Sequence, residues 1–124
     1  MSALIKLGCV YRPKAPKSHC HVIVSPPPQD QGQVLVVNWT TLDEDCIADA
    51  CVLGKGDRPK IDHSSAVAYS RARLCQVEKT RFTLENGNLE ELEPLSADVL
   101  RRIVEGGWKS KELRGEWKAM LPPI

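Results

Sequence analysis

The sequence predicts a small, mainly β domain closed by one or two C-terminal helices. Three observations carry this. Short runs of β-branched and aromatic residues recur from the start of the chain to Leu84, separated by turns rich in Pro and Gly. The strongest run, residues 34–40, opens on four consecutive apolar residues, as a strand buried on both faces does. Past Pro94 the apolar residues fall three and four apart, behind a serine.

The elements follow in order. Residues 5–11 read as a first strand and 12–18 as a loop, since Pro13 and Pro16 block regular structure. Residues 21–25 contain Val22-Ile23-Val24, and Pro26-Pro27-Pro28 then stops ladder pairing. Residues 29–33 form a turn into the strand at 34–40, which makes the two strands an antiparallel pair. Residues 42–50 are an acidic loop, 51–53 a short strand and 54–64 irregular around two glycines and Pro59. Residues 65–77 alternate as a strand does, with Ala66, Ala68, Ala72 and Leu74 on one face; their alanine and arginine content would also suit a helix. A further strand at 81–84 would end at Asn86-Gly87. Ser96 then caps a helix in which Val99, Leu100, Ile103 and Val104 share helical spacing. Gly106-Gly107 ends it. Ser110 caps a second helix through Leu113, Trp117 and Leu121, closed by Pro122-Pro123. The reading is one domain, 1–124, with a β-barrel over 1–93 and a helical segment over 94–124.

Composition narrows the function classes. The chain has 124 residues, 42% hydrophobic and 27% charged, which suits a globular domain rather than a coiled coil or a disordered chain. No run of apolar residues is long enough to span a membrane, and no apolar leader follows Lys6. Net charge is +1, so bulk charge does not mark a polybasic nucleic-acid binder. Charge is unevenly distributed, however. Lys6, Arg12, Lys14 and Lys17 precede any acid, and Arg71, Arg73, Lys79 and Arg81 form a second basic group. The five cysteines show no CxxC pair, which points to reduced thiols in a cytoplasm.

Most local motifs are weak on their own chemistry. His19 and His21 would share a strand face, but a metal site needs further ligands. Gly54-Lys55-Gly56-Asp57 lacks the spacing of a phosphate loop. No G-x-S-x-G elbow is present, and the neighbours Asp62-His63-Ser64-Ser65 read as a loop end rather than a converging triad. Thr40 and Thr41 end the strongest strand, where hydroxyls can hold a phosphate. Trp108 and Trp117 read as helix-packing residues.

The order of segments is more specific. A basic loop leads into Ser18-His19-Cys20-His21-Val22-Ile23-Val24-Ser25-Pro26. Next come Val34-Leu35-Val36-Val37-Asn38-Trp39-Thr40-Thr41 and then Ser65-Ala66-Val67-Ala68-Tyr69-Ser70-Arg71-Ala72-Arg73. This order resembles the plasmid-maintenance toxins of the PemK/MazF type over roughly residues 4–105. The resemblance implies a small SH3-like β-barrel of about five to six mostly antiparallel strands with a C-terminal helix. It also implies an mRNA interferase-like endoribonuclease that cleaves single-stranded RNA without metal or cofactor, acts as a cytoplasmic homodimer and is neutralised by an antitoxin protein. The family's threonine falls on Thr40. Its arginine position falls on or near His19, and its later aspartate near Ser70. The resemblance therefore assigns catalysis to His19, Thr40 and Arg71. RNA contacts fall to Arg12, Lys14, Lys17, His21, Thr41, His63 and Arg73. The displaced arginine and missing carboxylate also suit a non-catalytic barrel of the same structural family that binds RNA or a protein partner.

Overall fold

A computed structural model describes residues 6–14, 19–26, 32–41, 51–54, 57 and 65–122, with positions 40 and 41 described by their backbone. Over the described residues the fold is mainly β, a curled half-barrel sheet with three short helices. Its strands are β1 (Val10–Pro13), β2 (His21–Ile23), β3 (Gln33–Thr41), β4 (Val52–Leu53), β5 (Ser65–Val67), β6 (Arg73–Gln76) and β7 (Leu89–Leu92). The helices are α1 (Val77–Glu85), α2 (Ala97–Lys109) and the single turn α3 (Gly115–Lys118). All pairings are antiparallel, in the order β4-β5-β3-β2-β1-β7, with β6 also on β3.

β3 organises the sheet. One edge pairs His21–Ile23 with Val36–Asn38. Its other edge serves two strands: Gln33 to Val36 pair with β6, and Trp39 to Thr41 pair with β5. The strand expected over 65–77 is thus broken in two. Between the halves, the Ala68 N–H donates to the Asn38 carbonyl at 2.7 Å, and a 3₁₀ turn over Tyr69–Arg71 carries the chain sideways. The break lets Tyr69 and Ala72, three residues apart, enter the same core. No strict alternation could do that.

The sheet buries both faces, as the apolar run predicts, and Val34, Leu35, Val36 and Val37 are each 0–1% exposed. On the first face Val10, Val22, Leu35, Val37 and Val67 pack with Val99, Ile103 and Val104 of α2 and with Leu113 and Leu121. On the second, Cys9, Tyr11, Ile23, Val34 and Val36 pack with Val77, while Leu84 and Leu89 flank them. Each fully buried Val or Leu contributes about 1.5–3 kcal/mol relative to exposure. The most deeply buried polar side chain among the described residues is Ser25, 1% exposed, whose Oγ accepts from the Leu35 N–H at 2.8 Å.

Four local expectations are corrected. The first strand begins at Val10 rather than residue 5 and runs through Arg12 to Pro13, because those residues find partners on β7. Residues 81–84 are helix, not strand: Thr80 and Thr83 donate their hydroxyls to Gln76 and Lys79 carbonyls one turn back. Asn86-Gly87 therefore ends a helix, with Gly87 at φ +86. β7, with Glu90 and Glu91 at its centre, has no counterpart in the sequence reading. Finally, α2 does not stop at Gly106-Gly107 but runs to Lys109. Those glycines are packing residues: a Cβ on Gly106 would collide with the Tyr69 hydroxyl and lie 2.9 Å from Cys51 Cβ. The Ser96 cap stands, its Oγ accepting from the Val99 N–H at 3.3 Å. Ser110 caps the segment at 112–113, and helix resumes only at Gly115.

Candidate functional site

The second face of the sheet borders an opening. α1 lies over the β6 side and leaves an open groove of about 500 Å³ between itself and β1. Tyr11, Arg73, Leu74, Cys75, Gln76, Lys79, Thr80 and Thr83 contribute to its walls. A polar row crosses the strands beside it. Register pairs Tyr11 on β1 with His21 on β2, and His21 with Asn38 on β3. Residues directly opposite on one face sit within side-chain contact. Trp39 belongs to the first core, so Asn38 takes the second face with Val34 and Val36.

Tyr11 and His21 stack with ring centroids 5.9 Å apart and planes 19° apart. Burial, the positive charge of Arg73 and the neighbouring His19 push the His21 imidazole down to about 4. It is therefore neutral at pH 7 and available as a proton acceptor. Burial, aided by the Cys75 and Cys9 thiols, raises the Tyr11 phenol, against a smaller opposing effect of Arg73. Tyr11 also shares a side-chain hydrogen bond with Cys75. The phenol thus keeps its proton at neutral pH. Asn38 ends the row. It is 6% exposed, and its Oδ1 is buried without a hydrogen-bond partner among the described residues. Such an orphan acceptor costs about 1–3 kcal/mol.

The residues singled out in the sequence are distributed as follows. His19 lies half-buried just before β2, close enough to act on His21. Thr40 and Thr41 end β3, paired through the backbone with Ala66 and Ser65. Arg71 is exposed at the end of the 3₁₀ turn, and Arg73 is exposed on β6. Arg73 is the arginine that acts on both His21 and Tyr11. Arg12 pairs with Glu90 at 3.1 Å across β1 and β7. Lys14 is exposed after β1. Lys17 and His63 lie outside the described residues, as do residues 42–50 and most of 54–64. Among the described residues no cluster of three or more His, Cys, Asp or Glu side chains is placed to hold a metal ion. Nor is any of their helices long and apolar enough to cross a membrane.

Sequence reasoning missed Tyr11, Asn38 and Cys75 as site residues. Asn38 carried a signal, being the single polar residue between Val34 and Trp39. Cys75 carried none, because its neighbour across the groove is set by the curl of the sheet. Comparison with known protein families and with curated proteins finds no match for this chain.

Proposed function

We propose that this groove binds single-stranded RNA and cleaves it without metal, in line with the resemblance to PemK/MazF-type toxins. One observation carries the reading: a neutral imidazole, His21, stacks on Tyr11 and lies within electrostatic reach of the Arg73 guanidinium, and both of those partners line the open groove. Metal-free RNA cleavage needs a proton acceptor for the ribose 2′-hydroxyl and a fixed cation for the phosphate. In this reading His21 takes the 2′-hydroxyl proton. The 2′-oxygen forms a bond to phosphorus and the bond to the 5′-oxygen breaks, giving a 2′,3′-cyclic phosphate. His19 returns a proton to the departing 5′-oxygen. Arg73 balances the charge on the phosphorane, with Lys79 nearby on the groove wall. Thr40, two residues beyond Asn38, holds a phosphate oxygen. Arg71 and Lys14 guide the strand in from the surface. A cytoplasmic homodimer controlled by an antitoxin belongs to the same reading.

The low basicity of His21 favours a second reading, a non-catalytic barrel that binds RNA in the same groove. Cleavage of a long single-stranded RNA in EDTA separates the two. His21→Ala and Arg73→Ala are each expected to slow cleavage about 100-fold or more, with His19→Ala and Thr40→Ala slowing it alongside. RNA bound but uncut by the folded protein selects the second reading. Cleavage unchanged in all four variants, or no RNA bound at all, refutes the groove as an RNA site.

A further inference from the structure

β6 has a second edge that no strand covers among the described residues. Two backbone bonds fix which of its residues face that edge. The Val77 N–H donates to the Gly32 carbonyl at 3.0 Å, in register with β6, so Val34–Cys75 and Val36–Arg73 are the hydrogen-bonded pairs. Leu35 turns its backbone the other way, its carbonyl accepting from the Val24 N–H at 2.9 Å just past β2. Leu74, opposite Leu35, therefore directs its N–H and C=O away from β3. That edge borders the groove. Leu74 packs its side chain against the first core, yet Arg73, Leu74, Cys75 and Gln76 all line the groove. A strand shows alternate residues through a face and successive residues only along an edge. The open stretch is short. At one end the Ala72 N–H is held by the Tyr69 carbonyl, and at the other the Gln76 carbonyl accepts from the Thr80 hydroxyl. Between them Leu74 keeps one donor beside one acceptor, with no backbone partner for either among the described residues.

We propose that the Leu74 backbone pairs with the Watson–Crick edge of one unpaired nucleobase. The proposal rests on the RNA reading of the groove. Every base carries a hydrogen-bond donor beside an acceptor on that edge, as uracil does with its N3–H beside O4 and adenine with its 6-amino group beside N1. The Leu74 N–H and C=O complement any of them, and reject a base whose edge is already paired in a duplex. The groove thereby selects single strands rather than a sequence. Arg73 next to Leu74, and Lys79 on α1, supply positive charge for the flanking phosphates, and no carboxylate is among the described residues that line the groove. A peptide strand is the other ligand of a free sheet edge. It needs a run of several open residues, whereas here one residue offers both groups.

The test uses the full chain and fluorescein-labelled 2′-O-methyl hexanucleotides, which cannot be cleaved. Binding is measured by anisotropy. Oligo-A, oligo-C and oligo-U are expected to bind within about 10-fold of one another, and oligo-U about 10-fold or more tighter than its N3-methyl form. That methyl keeps the charge, sugar and stacking face and removes the N–H that would donate to the Leu74 carbonyl. Leu74→Pro deletes the outward N–H without costing a ladder bond, and should lower the ratio of oligo-U to N3-methyl binding. Amide hydrogen exchange followed by NMR reads the same contact without a substitution. The Leu74 amide should exchange freely in the unliganded protein and become protected by oligo-U, with the Cys75 amide protected in both states. This readout decides alone should Leu74→Pro fail to fold. Equal binding of oligo-U and its N3-methyl form, or a Leu74 amide already protected without ligand, overturns the pairing and leaves the RNA reading standing. A wider spread among A, C and U overturns the sequence tolerance that the pairing entails. A ratio unchanged in folded Leu74→Pro overturns the assignment to Leu74. Protection of this amide by hexaglutamate and by no oligonucleotide assigns the edge to a peptide strand and overturns the proposal. Binding of no oligonucleotide overturns both readings.

Discussion

Gly106→Ala should destabilise this protein although alanine is the better helix former. Gly106 lies inside α2, where the exchange alone would gain about 1 kcal/mol. Two costs oppose it. The new methyl would overlap the hydroxyl of Tyr69 and sit 2.9 Å from Cys51 Cβ and 3.2 Å from Tyr69 Cζ. Tyr69 is 2% exposed and cannot swing into solvent. Forcing a methyl into such a contact costs about 1–3 kcal/mol. Relief requires moving the phenol, whose O–H donates to the Ile103 carbonyl at 2.7 Å. Losing that bond costs about 1 kcal/mol more. The net loss is about 2 kcal/mol, and about 4 °C in Tm per kcal/mol gives a fall of about 8 °C. Gly107→Ala is the control. Its methyl would meet Leu121 Cδ1 at 2.8 Å, the far end of a side chain that can rotate away. It should come out near neutral. Urea denaturation of both variants checks the ranking. Adding Tyr69→Phe to Gly106→Ala should recover part of the loss, because the hydroxyl is the closest obstacle. Equal stability of the two alanine variants, or a gain for Gly106→Ala, would refute this account of the α2 contact.

Three further outcomes are expected. Ser25→Ala leaves the Leu35 N–H buried without its 2.8 Å acceptor, and should cost about 2 kcal/mol in chemical denaturation. Arg102→Ala removes hydrogen bonds to Asp57 (2.8 Å) and the Val52 carbonyl (2.9 Å); the ion pair is partly solvated, so its own share is under about 1 kcal/mol. Arg102 holds the Asp57 carboxyl below its ordinary range, so this share is present above the unfolded carboxylate pKa of about 3.9 and fades as pH falls through the lower folded value. Wild type and variant should therefore converge in strong acid when denaturation is followed against pH. For His21 the folded value of about 4 lies below the unfolded 6.5, so the unfolded chain binds more protons between them. Stability should therefore fall as pH is lowered from 6.5 to 4 in the wild type, with a smaller slope in His21→Gln. Removing the positive charge in Arg73→Ala should raise the His21 pKa, read by NMR from its imidazole protons.

Legibility followed how local each signal was. β3 was readable because four successive apolar residues mean burial on two faces, whatever lies above and below. β2 and the start of α2 were readable from β-branching and from a serine cap. β7 was not, since Leu89–Leu92 carries two central glutamates and becomes a strand through pairing with β1. α1 was hidden because its threonines and Phe82 favour strands, while its helical hydrogen bonds depend on tertiary placement over the second core. Gly106-Gly107 looked like a stop signal because sequence shows glycine's conformational freedom and hides its smallness. In the candidate site, histidines and arginines stood out by residue type. Which arginine acts on His21 depended on the register of β6 against β3, which pairs Arg73 with Val36.

The same strand explains why core and site cannot be varied independently. Along β3, Leu35, Val37 and Trp39 belong to the core under α2, while Val34 and Val36 face the other way, with Asn38 in line. A one-residue slip of β3 would exchange those faces and place an asparagine in the α2 core. The buried Ser25 hydroxyl on Leu35 and the doubly used outer edge both hold the register. Asn38 itself works against stability, since an apolar residue of similar size would remove an unpaired acceptor from the interior. Position 38 is therefore a place where packing alone would favour an apolar side chain. An apolar substitution there, Asn38→Leu, should leave the fold at least as stable in urea denaturation. A fall in stability would mean that the remaining contacts of the amide in the interior outweigh its unpaired oxygen.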